Sequence, residues 1–183
     1  SDKNELFSND LVRLESKYKK NLLWINEFYL DNYDVEDGIS DSGKYNYYDI
    51  INIFSKFGMI PVTALDRHPK HIDAINHGFQ NELFSYKKVA LRLTRDYFCN
   101  FDLVKDEIDE VLGKLSQHIN SVDFIFDCRV CKTGEAENLS KQIINFISRI
   151  NINISNLSLD RIIITGSMIP PSISELINTQ SEL

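Results

Sequence analysis

Apolar residues in this chain come in two alternating textures: compact runs of five to eight residues, and longer stretches where they recur every three or four positions. The first texture predicts buried strands and the second amphipathic helices. Leu11–Lys20 reads as a helix, with Ser8, Asn9 or Asp10 available as its cap and Leu11 and Leu14 on one face. The run from Leu22 to Tyr29 reads as a buried first strand, and acidic, aperiodic Asp31–Lys44 as the most mobile loop. A helix over Tyr45–Lys56 follows, with Gly58 placed to end it. The second strand is Met59–Leu65, and Pro69 opens a helix that runs to about Leu83. The third strand is Lys88–Thr94. Asn100 or Asp102 caps the next helix, which carries Leu103, Ile108, Val111, Leu112 and Leu115. Val122–Cys128 is the fourth strand, Ala136–Ile150 a helix and Arg161–Ser167 the fifth strand. Pro170 and Pro171 end that strand, and a short helix covers Ile173–Ile177.

Near-continuous apolar strands separated by helices imply a parallel sheet covered on both faces. Equivalent strand ends lie roughly 25 to 40 residues apart, against about 31 per unit in a (β/α)8 barrel. The pattern therefore predicts an α/β fold: a partial (β/α)8-type, TIM-like barrel of about five parallel βα units in a single domain over residues 1–183. An open doubly wound parallel sheet is the rival. No G-x-G-x-x-G or G-x-x-x-x-G-K turn follows any strand, which weakens a nucleotide site and leaves any cofactor unknown.

In a barrel the C-terminal strand ends converge on one rim. Here those ends carry Asn26 and Glu27, Asp66 and Arg67, Arg92 and Thr94, Asp127 and Arg129, and Thr165 and Ser167. Side chains alternate along a strand. Ala90, Arg92 and Thr94 thus share one face, with apolar Val89, Leu91 and Leu93 turned to the helices, so Arg92 points inward. Ile125, Asp127 and Arg129 share a face, as do Ile163, Thr165 and Ser167. On the second strand, Thr63, Leu65 and Arg67 compete with Val62, Ala64 and Asp66, and alternation does not decide between them.

These ends give Asp127, Arg92, Asp66 and Glu27 as candidates for chemistry, and Arg67, Arg129, Thr165 and Ser167 as candidates for ligand contact. Arg92 paired with Asp127 has a structural reading, in which two buried charges neutralise each other. Its functional reading is an anion site with bidentate arginine donors, or a carboxylate acting as a base or metal ligand. Asp66, His68 and His71 could ligate a metal, but their spacing matches no specific motif. Glu27 and Asp127 could share a divalent cation. No G-x-S-x-G elbow surrounds Ser167. Cys128-x-x-Cys131 has the two-residue gap of zinc and redox sites, yet no second pair completes a zinc set, and ordinary reduced thiols are the simpler reading.

A net charge of −7 makes nucleic acid an unlikely partner, and the basic run Lys17-Tyr18-Lys19-Lys20 fits a solvated helix end. No stretch reaches the roughly 18 apolar residues of a membrane helix and no secretory leader is visible; the simple reading of the cysteines, as reduced thiols, goes with an expected cytoplasmic location.

The ordered strand ends resemble the Beta family of phage and bacterial proteins. Ile60-Pro61-Val62-Thr63 with Arg67 is similar to the family's proline-led strand ending in Arg, and Leu91-Arg92-Leu93 to its Leu-Arg-Leu strand. Phe124-Ile125-Phe126-Asp127 resembles its apolar strand closing on Asp. Ile163 to Pro170 resembles its Gly-Ser-Ser-Phe-Pro segment, with Met168 and Ile169 replacing the usual Ser and Phe. The resemblance spans about Tyr45 to Ile177. It implies a complete barrel in which this chain is the middle of a longer protein, and a role in phage–host conflict, either superinfection exclusion or defence. It implies no particular reaction. Three readings follow: a recognition protein whose rim takes an anionic ligand or a phage or host protein; a metal-dependent hydrolase or phosphodiesterase using Glu27, Asp66 and Asp127; and a structural domain of a larger assembly.

Overall fold

A computed structural model describes residues 2–132, 134–150 and 157–167. Five parallel strands form one sheet in the order β1-β2-β3-β4-β5: Phe28–Leu30, Met59–Thr63, Lys88–Thr94, Ser121–Val130 and Ser158–Ser167. Each strand pairs with the next in sequence. The order never reverses, as a barrel requires and a doubly wound sheet does not. The helices are α1 (Lys3–Asn21), α2 (Asn46–Phe54), α3 (Pro69–Gln80), short α4 (Arg95–Phe98), α5 (Phe101–Gly113) and α6 (Ala136–Arg149). No helix among the described residues is long and apolar enough to cross a membrane.

The sheet curls, and contacts across its concave face measure the curl. The Tyr29 hydroxyl on β1 donates to Asp123 on β4 at 2.8 Å, and Arg161 on β5 reaches Glu27 beside β1. Alternation sorts the strands into two faces. Met59, Val89, Leu91, Leu93, Val122, Phe124 and Phe126 face the helices and meet Ile51, Phe54, Ile75, Ile108 and Phe146 in the main core. Ile60, Val62, Ala90 and Ile125 fill the concave side with Tyr29 and Ile163. Ile162 and Ile164 on β5 are exposed among the described residues.

The first strand differs from its expected position. Helix α1 starts at Lys3, capped by Asp2, and runs to Asn21, so Leu22–Trp24 form a turn instead of a strand. Trp24 is 76 % exposed, and its indole N–H donates to the Asn21 carbonyl at 3.0 Å. The strand proper is only Phe28–Leu30. Gly58, at φ +87°, admits this chain path: a Cβ there would stand 2.0 Å from the Asn26 carbonyl oxygen. Other boundaries moved less. A 3-10 turn over Ser55–Phe57 follows α2, β2 stops at Thr63, and α4 was unanticipated. The segment expected to be loose is tied down. Asn32 donates to Asn46 at 2.6 Å, Asn46 to the Glu36 carbonyl at 3.0 Å, and the Asp41 N–H to Asp49 at 2.9 Å. The helix expected at Ile173–Ile177 lies outside the described residues.

Candidate functional site: an arginine rim under Tyr33

Arg92 occupies the inward position at the end of β3 that alternation assigns to it. Its Nε donates to Asp127 Oδ2 at 3.0 Å, a second guanidinium nitrogen reaches the same oxygen, and Nη1 donates to Asp31 at 2.7 Å. Asp31 also receives Arg67. Asp31 sits one residue past β1, where parity with inward Tyr29 turns it to the concave side. Arg67, from the segment after β2, and Arg92, on β3, thus share one carboxylate just past β1, and Arg92 bridges it to β4.

Arg129 completes the group by leaving the regular strand. Asp127 pairs with Thr165 but Val130 pairs with Ser167, so β4 carries one extra residue there, a β-bulge. Arg129 takes φ +53°, a left-handed conformation that costs about 1–2 kcal/mol for a residue with a Cβ. Local bonds hold it. Its N–H donates to Asp127 Oδ1 at 2.9 Å, and Arg95 donates to the carbonyls of Cys128 at 2.9 Å and Val130 at 3.2 Å. Glu135 fixes Arg95 from behind at 3.0 Å. The bulge re-aims the Arg129 side chain, whose Nε stands 3.4 Å from Asp127 Oδ2.

Above these groups lies Tyr33. The guanidinium carbons of Arg129, Arg92 and Arg67 are 4.4, 4.5 and 5.1 Å from its ring centroid. An aromatic face attracts cations at this range. Three arginines therefore gather around one ring with two carboxylates, Asp31 and Asp127, paired to them. Burial acts to raise the Asp127 carboxyl. The Arg92 hydrogen bonds, the Arg129 N–H and both guanidinium charges outweigh it and hold the group below its ordinary value. Arg92 is spent on its carboxylates. The Arg129 side chain, 41 % exposed, is the cation most open to solvent.

The other candidates divide by position. Asp66 is exposed and lines a cleft of about 330 Å³ with Tyr33, Glu36, Asp37, Arg67 and His68. Arg67 joins the rim because β2 ends at Thr63: Val62 holds the inward position and the chain then turns freely. Thr165 lies in register beside Asp127, and the Ser167 carbonyl accepts the Cys131 N–H at 2.7 Å. Glu27 is elsewhere. It lies before β1, at the opposite end of the curled sheet, and pairs with Arg161. Glu27, Asp66 and Asp127 are therefore not brought together, and no group of three or more metal-ligating side chains occurs among the described residues. His68 instead caps α3, its Nδ1 accepting the Lys70 N–H at 3.2 Å. His71 is buried, stacks on Tyr47 at 4.1 Å and meets the Val62 carbonyl through Nε2 at 2.9 Å. Burial keeps it neutral, its pKa lowered to about 3.

Sequence reasoning missed Asp31 and Tyr33, which sit in an acidic stretch read as loop. The signal was present: Tyr29, Asp31 and Tyr33 share one parity once the strand is centred on Tyr29.

Against known proteins, the family model described as Beta protein matches residues 2–183. The chain belongs to that family, and the match includes α1 and β1, beyond the stretch that carries the resemblance. No curated protein and no solved structure matches it.

Proposed function

We propose that this Beta family protein is a recognition protein in phage–host conflict, and that its rim binds an anionic group carried by a small ligand or by a phage or host protein. The observation that carries the reading is the surplus of guanidinium at one ring: Arg67, Arg92 and Arg129 around Tyr33, with Arg129 left accessible. Guanidinium presents paired N–H donors that match carboxylate and phosphate oxygens. Arg92 and Arg67, locked by Asp31 and Asp127, hold the platform rigid. Arg129 is the group that exchanges its 3.4 Å contact with Asp127 for the ligand. The biological setting rests on family membership and the resemblance described above. The hydrolase reading has less support, because Glu27 stands at the far end of the curled sheet.

The test is phage plating on cells carrying the full-length protein. Arg129→Ala, which leaves the Arg92 pairs intact, is expected to abolish protection while the protein stays folded and abundant. Undiminished protection by that variant and by Tyr33→Ala would remove the rim from the function.

A further inference from the structure

We infer that Cys128 and Cys131 form a reversible dithiol–disulfide pair that locks the β4 bulge. In a regular strand, residues three apart point to opposite faces. The extra residue at Arg129 cancels that offset and returns both sulfurs to the helix side of the sheet. Gly166 of β5 records the result. A Cβ built on it would lie 3.1 Å from Cys131 Sγ and 3.3 Å from Cys128 Cβ, so both cysteines crowd over one point where the neighbouring strand has no side chain. The Cys131 thiol turns back over the bulge, 3.9 Å from the Cys128 carbonyl oxygen and 4.0 Å from that of Arg129. Cys128 is buried and Cys131 half-buried, and both are reduced.

Accessibility assigns the roles. Cys131, reachable from solvent and beside the Arg95 guanidinium, is the attacking sulfur, and Cys128 behind it is the resolving one. With a peroxide as oxidant, the Cys131 thiolate attacks the O–O bond and takes one oxygen as a sulfenic acid, releasing water after proton uptake. The Cys128 thiolate then attacks that sulfur, the S–O bond breaks and a second water leaves. Two thiols and one hydrogen peroxide give one disulfide and two waters, with two electrons passing from sulfur to peroxide. A thiol reductant reverses the change by exchange.

The bond would span Arg129, whose left-handed backbone is the bulge itself. A covalent tie between Cys128 and Cys131, across Arg129 and Val130, removes the alternative in which β4 straightens. This inference stands independently of any ligand at the rim.

The experiment uses the reduced full-length chain with Cys99→Ser, which removes the exposed third thiol. Titration with hydrogen peroxide is expected to lower the mass by about 2 Da, from the loss of two hydrogens. Peptide mapping should place the bond at Cys128–Cys131, and dithiothreitol should reverse it. Amide exchange at Arg129 and Cys131, whose N–H groups are bonded at 2.9 and 2.7 Å, is expected to slow at least several-fold on oxidation. Cys131→Ser should show neither change. Oxidation of Cys131 to sulfinic acid without the internal bond would overturn the proposal, as would a bond that leaves amide exchange at Arg129 unaltered.

Discussion

The two ends of this half-barrel are built from the same materials and differ in how they balance them. At the base, Asp123 is fully buried and receives the Tyr29 hydroxyl at 2.8 Å, the Arg161 N–H at 2.9 Å and Lys88 at 3.4 Å. Lys88 is also paired with Asp160, and Arg161 with Glu27. Three carboxylates there face two cations. At the rim, two paired carboxylates face three guanidinium groups, and an aromatic ring lies against all three. The base network stitches β1, β3, β4 and β5 across the concave face and has no cation left over. Counted over its ion-paired groups, the rim network holds one, with Glu36, Asp37 and Asp66 lining the cleft beside it. A charge cluster that closes on itself supports architecture, whereas one that does not keeps a capacity for a partner.

The largest effect should come from breaking the base. Asp123→Ala leaves Tyr29, the Arg161 N–H and partly buried Lys88 short of an acceptor, and is expected to cost about 3–5 kcal/mol in urea unfolding. At the rim, Arg92→Ala strips the main partner from Asp127 and one of two from Asp31. About 2 kcal/mol is expected, since both carboxylates keep another donor.

The pH dependence sharpens the contrast. Asp127 is held below its ordinary value in the fold, so its contribution is full above the unfolded value of about 4 and is lost as pH falls through its folded value. His71 acts higher up. Its folded pKa of about 3 lies under the unfolded value of about 6.5, so the unfolded chain binds more protons between those limits and stability declines as pH drops through them. His71→Phe, which keeps the stack on Tyr47, should flatten chemical-denaturation stability between about pH 6 and 4, while Arg92→Ala should flatten only the part below about 4. The smallest stability change belongs to Arg129→Gln, at roughly 0.5 kcal/mol or less, because its ion pair is half exposed.

The sequence carried the β3–β4 half of this contrast. Leu91 and Leu93 on one face oblige Arg92 to take the other, and the apolar run before Asp127 does the same on β4, so their pairing was legible. Glu27 was misplaced for a definite reason. The run from Leu22 to Tyr29 has strand composition, but α1 consumes the chain up to Asn21, and the exposed Leu22–Trp24 turn shifts the strand so that Glu27 precedes it. That shift also hid Asp31 and Tyr33. Arg67 was undecided because parity has no meaning once β2 has ended. The bulge at Arg129 was invisible, since a left-handed arginine held by a neighbour's guanidinium on two carbonyls is a tertiary event with no local signature.

The central claim is that the rim keeps a usable cation and the base does not. NMR titration with inorganic phosphate at low ionic strength, following arginine side-chain and Tyr33 ring resonances, addresses it directly. The account predicts saturable shifts confined to Tyr33, Arg67, Arg92 and Arg129, none at Lys88 or Arg161, and at least about tenfold weaker binding in Arg129→Gln, or about 1.4 kcal/mol. Shifts of equal size at both ends, or unchanged affinity in the variant, would contradict it.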